Sequence, residues 1–172
     1  MLDRLSAAYE RLLEGLLVIA CLLLLFMTLL IGADVASRNL RLGGVPWSAE
    51  VSEDAIYLMT LLAAPWLLRQ GQHIRIDSLL RARPRTLAWI LEWMSDILGL
   101  GCCLFFVWYG FQITAESRAA GALSIKTLVT PEWWLLAPLP FAFVLLSVEF
   151  LFRMRRLAQA ERGPRDDAVS AA

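Results

Sequence analysis

Residues 15–33 read GLLVIACLLLLFMTLLIGA, nineteen positions without a charged side chain. A helix rises about 1.5 Å per residue, so about 20 apolar residues cross a hydrocarbon core of about 30 Å. This run is long enough to span on its own. Asp3, Glu10 and Glu14 precede it and spoil the basic start of a secretory signal, and no small-x-small cleavage pattern follows. It reads as a retained membrane span.

Working outward, three more apolar runs follow: fourteen residues at 55–68, nineteen at 97–115 and sixteen at 133–148. The two shorter ones reach across a bilayer only with their polar flanks. Hydrophobic residues are 59% of the 172 positions and charged residues 19%, far from a soluble balance. Once the spans are set aside, too little chain remains to bury a second core. The expectation is an all-α integral membrane protein with a single four-helix domain over 1–157. Its spans fall near 15–36, 47–68, 97–115 and 132–152. The segment 158–172 is polar and rich in small residues, which predicts a disordered cytoplasmic tail.

Charge sets the orientation. With four spans, both termini share a side with the middle loop. That side carries twelve basic residues (Arg4, Arg11, Arg69, Arg75, Arg81, Arg83, Arg85, Arg153, Arg155, Arg156, Arg162 and Arg165), against four (Arg38, Arg41, Arg118 and Lys126) on the other. The excess predicts cytoplasmic termini. Aromatic residues agree: Trp47, Trp108, Tyr109, Trp133 and Trp134 fall near the outer interface, and Trp66, Trp89 and Trp93 near the inner one.

The second span is expected to start near Trp47, with Pro46 in its first turn. Glu50, Glu53, Asp54 and Tyr57 then share one acidic face at i, i+3, i+4 and i+7. Such a face is costly against lipid and should meet protein, water or a cation. The third helix is predicted from Pro84, with Glu92 and Asp96 at i, i+4 and a bend near Gly99 and Gly101. Thr130-Pro131-Glu132 marks the start of the fourth span, and Pro138 and Pro140 predict a kink in its first half. Between the second and third spans, Ile74 and Ile76 alternate with charge, and Asp77 or Ser78 suits a helix cap. This predicts a short amphipathic segment on the membrane surface.

Little here supports catalysis. His73 is the only histidine, which excludes a bis-histidine haem or a multi-histidine metal site within the chain. Cys21, Cys102 and Cys103 lie in apolar runs and read as small buried hydrophobes. No nucleophile elbow or phosphate-binding loop is present, so no enzyme activity and no cofactor or metal are expected. A net charge of zero offers no basic surface for nucleic acid. Asp34 and Arg38, at i, i+4 near the outer end of the first span, allow two pairings, a helical pair of their own or Arg38 paired across to Glu50, Glu53 or Asp54, and beside these a direct role in binding a transported ion. The spans carry their charges at the ends, which suggests a chain that packs against another membrane protein.

The order Asp34…Arg38-Asn39, Pro46-Trp47-x-x-Glu50, Arg69-x-Gly71-x-His73-Ile74-Arg75-Ile76-Asp77, Pro84, Ser124…Pro131-x-x-Trp134 and Glu149 resembles the small membrane subunit of tripartite ATP-independent periplasmic (TRAP) transporters, the DctQ-like family. The likeness covers roughly residues 10–155. Ala63-Ala64-Pro65-Trp66 departs from it, where the family often has a glycine-containing segment. The resemblance implies a stable complex with a large membrane subunit, a transient one with a periplasmic substrate-binding protein, and a setting in the lipid of the bacterial inner membrane. It also implies a non-catalytic scaffold for sodium-coupled uptake of an organic acid (C4-dicarboxylate, keto acid or sialic acid type). The contact positions it implies are Arg38, Trp47, Glu50, His73 and Asp77, and Asp34 and Glu53, read from their spacing above, join them as partner-contact or structural positions. Arg38 and Glu50 would fix the outer helix ends, His73 and Asp77 would hold the cytoplasmic loop, and the outer loop 116–130 would touch the periplasmic protein. The rival readings are a homodimeric small four-helix exporter, which would need a carboxylate inside a span, a membrane anchor for a redox enzyme and a generic membrane assembly factor.

Overall fold

In a bilayer the backbone must satisfy its own hydrogen bonds, and the apolar runs do so as helices. The computed structural model describes residues 2–70 and 85–159. Helix α1 is Leu2–Asn39, α2 is Ser48–Arg69 and α3 is Arg85–Ala120. An antiparallel hairpin of β1 (Leu123–Ile125) and β2 (Val129–Pro131) leads into α4 (Glu132–Leu136) and α5 (Pro138–Gln159). Among the described residues, four stretches are long and apolar enough to cross a membrane, α4 and α5 together forming the last. The chain is an all-α multi-pass membrane protein. The expected surface segment between the second and third spans, and the tail beyond Gln159, lie outside the described residues.

The helix ends follow local chemistry. At the end of α3, Gly121 takes φ +62°, its N–H bonds the Arg118 carbonyl at 3.3 Å, and the Ala122 N–H reaches Ser117 at 3.1 Å. This is the Schellman pattern, in which a left-handed residue closes the last turn. The end of α1 repeats it without a glycine: Arg41 sits at φ 56°, with bonds from Arg41 to Arg38 and from Leu42 to Ser37. Pro46 lies in the turn before α2 and not in its first turn, because the Ser48 N–H bonds the Val45 carbonyl at 3.1 Å and the helix begins only there. Ala137 separates α4 from α5, beside the prolines that lack the N–H a continuous ladder needs. Pro65, by contrast, is buried within α2 without ending it.

The helices pack in a row, α1 on α2, α2 on α5 and α5 on α3. At the centre, Leu68, Cys103 and Leu146 form a buried cluster, flanked by Ala64, Phe143 and Phe150. Helix α3 passes unbroken through Gly99 and Gly101, where a bend was expected. Gly99 serves packing, since a Cβ there would lie 2.5 Å from the Phe150 ring. Cys103 is buried, but Cys21 and Cys102 are exposed, contrary to expectation. Neighbouring helical positions point about 100° apart, so only one of the adjacent pair can enter the seam. Helix α1 is the least covered, with just 6% of its apolar stretch buried.

Candidate functional site

Polar side chains gather at the two ends of the row, and each end is a clasp. At the end opposite the termini, Asp34 organises the α1–α2 turn. Its Oδ1 accepts the Val45 N–H at 2.6 Å, and its Oδ2 pairs with Arg38 at 3.0 Å. Gly44, at φ +75°, lies against both side chains, and a Cβ there would sit 2.9 Å from Arg38 Cγ. Of the two pairings for Arg38, the structure shows the pair within its own helix. Trp47 is the N-cap residue of α2, but no side chain caps that end. It is 39% exposed.

Glu50 and Glu53 turn instead to the β1–β2 hairpin. The Glu50 carboxylate accepts the N–H groups of Thr127 and Leu128 at 2.7 and 3.0 Å, so one side chain satisfies both donors at the tip. Glu53 pairs with Lys126 at 3.1 Å. That hydrogen bond, reinforced by the nearby charges of Glu53, Asp54 and Glu50, raises the Lys126 pKa above the usual lysine value. Glu50 and Glu53, two of the four residues of the acidic face, thus meet protein. At the base of the hairpin the Ser117 hydroxyl donates to Glu132 at 3.1 Å, and the Arg118 guanidinium lies 5.3 Å from the Trp133 ring centre.

The second clasp is at the termini end and was not foreseen as a unit. Arg69, the last residue of α2, donates to Glu149 of α5 at 3.4 Å. It also reaches Glu10 at 3.1 Å and the Ser6 hydroxyl at 3.2 Å on α1, and lies 5.8 Å from the Tyr9 ring centre. Arg156 pairs with Glu149 from the other side. Close by, Asp96 of α3 pairs with Arg153 of α5 at 3.0 Å, both buried. The clue in the sequence is Glu149-Arg153-Arg156, whose i, i+4, i+7 spacing puts three charges on one face beside an apolar run. His73 and Asp77 lie outside the described residues.

Chemically these clasps neutralise charge inside the chain. Among the described residues, no group of three His, Cys, Asp or Glu side chains could hold a metal ion. The groove of about 290 Å³ between α3 and the α4–α5 break is lined by apolar and aromatic side chains, among them Phe105, Ile113, Leu136 and Leu139. A comparison with curated proteins finds no match. The family model of tripartite ATP-independent periplasmic transporters, DctQ component, matches residues 27–160, which takes in both clasps except the start of α1. The chain therefore belongs to the DctQ family, the small component of TRAP transporters.

Proposed function

We propose that the chain is the non-catalytic small permease subunit of its transporter, scaffolding the large membrane subunit in the bacterial inner membrane. The observation that carries this reading is where charge sits. Between Asp54 and Arg69 of α2, and between Asp96 and Glu116 of α3, no Asp, Glu, Lys or Arg occurs, and the charges nearest those ends are largely paired within the chain. A chain that moved a charged substrate alone would need polar groups or broken helices near mid-membrane. The twelve-to-four split of basic residues supports cytoplasmic termini, which puts the hairpin end in the periplasm. There, segment 116–130 meets the substrate-binding protein. In this reading the complex takes up an organic acid together with sodium, and the other two subunits choose the substrate.

Reconstituted vesicles test the proposal. The large subunit with this chain should take up substrate supplied with the binding protein and a sodium gradient, and this chain alone should not. Transport by this chain alone, or full activity without it, would overturn the reading.

A further inference from the structure

Two helical hairpins, α1–α2 and α3–α5, meet along the α2–α5 contact. At the termini end, the Arg69 and Glu149 side chains cross that seam, 11% and 0% exposed. Arg69 continues to Ser6 and Glu10, and the Tyr9 hydroxyl donates to the Leu145 carbonyl at 2.7 Å, so the contact draws in α1 as well. With Arg156 the group holds two guanidiniums and two carboxylates, which balance. Glu10 and Arg156 are 51% and 43% exposed, whereas Glu149 is fully buried and Arg69 largely so.

We infer that Arg69–Glu149 is a buried lock that holds the α1–α2 hairpin against the α3–α5 hairpin, so that the chain meets its membrane partner as a single rigid wall. The wall rests on the scaffold reading above, but the lock does not. Removing Arg69 leaves Glu149 to Arg156 alone, and removing Glu149 leaves Arg69 to Glu10 at the more exposed edge; either change loses the same contact across the seam, so the two losses do not add. Arg69 and Glu149 are positioning residues, since the account gives neither any contact with substrate.

Cys103 is a built-in reporter. It is buried against Leu68 of α2 and Leu146 of α5, within the seam the lock would keep closed. In a Cys21→Ser, Cys102→Ser background, the detergent-purified complex is heated with a maleimide that fluoresces on reaction with a thiol. Arg69→Met and Glu149→Met should each lower the temperature at which Cys103 reacts, by about 5 °C or more. The double variant should fall by clearly less than the sum. Unchanged labelling in the single variants, or strictly additive shifts, would overturn the lock. Co-purification of the large subunit, read in the unsubstituted chain, judges the scaffold reading separately.

Discussion

Glu50 shows how one side chain converts an exposed turn into a fixed one. Both of its oxygens are committed to backbone N–H groups of the hairpin tip. Glu50→Gln keeps one accepting oxygen and should loosen the tip partly, and Glu50→Ala should free it. Protease cleavage at 126–128, measured in membranes, should rank wild type, Gln and Ala in that order; equal cleavage would refute the contact. Lys126 adds a pH dependence whose sign is fixed. Its pKa is raised on folding, so its contribution is complete below the unfolded lysine value of about 10.4 and is lost as pH rises through the folded value. Cleavage at the tip should be flat from pH 6 to 9 and increase only in strong alkali. Arg41, a non-glycine residue at φ 56°, holds strain of about 1 kcal/mol. Arg41→Gly should raise the unfolding temperature of the purified chain. At this scale the sequence placed the acidic face of α2 but not what it binds. Lys126 and the N–H groups at 127 and 128 lie more than seventy positions away, and helical spacing reports only neighbours on one helix.

Among the elements, two spans were legible because nineteen uncharged residues in a row suit a bilayer, and the runs of fourteen and sixteen became legible once their polar flanks were counted. The break at Ala137 was legible too, since proline removes a specific hydrogen bond. The hairpin escaped notice: each strand is only 3 residues long, and neither carries a period that stands out from loop. The packing role of Gly99 in α3 was not legible, because sequence does not reveal what lies opposite. Here it is Phe150, which needs the space at Gly99. Gly99→Leu should therefore part α3 from α5 at a cost of about 1–3 kcal/mol. Adding Phe150→Ala should recover part of that loss in thermal unfolding of the purified chain; no recovery would place the strain elsewhere.

For the whole molecule, the row arrangement leaves α1 as an edge helix, with Val18, Leu22, Leu25 and Leu29 all more than half exposed. The chain presents a wide apolar outline, while many of its charges pair with one another at the two ends. Nothing in the amino-acid order announced the row, because the order of packing depends on which faces meet across loops. The Arg69–Glu149 contact, eighty positions apart, and the Tyr9–Leu145 hydrogen bond both cross between the two halves at the termini end. The central claim is that this chain functions as a stable partner of a large membrane subunit. It is tested most directly by tagging the chain, purifying it from its native membranes in mild detergent, and identifying what accompanies it. The account predicts a large multi-span membrane protein in near-equal amount. A chain recovered alone, or only with further copies of itself, would contradict it.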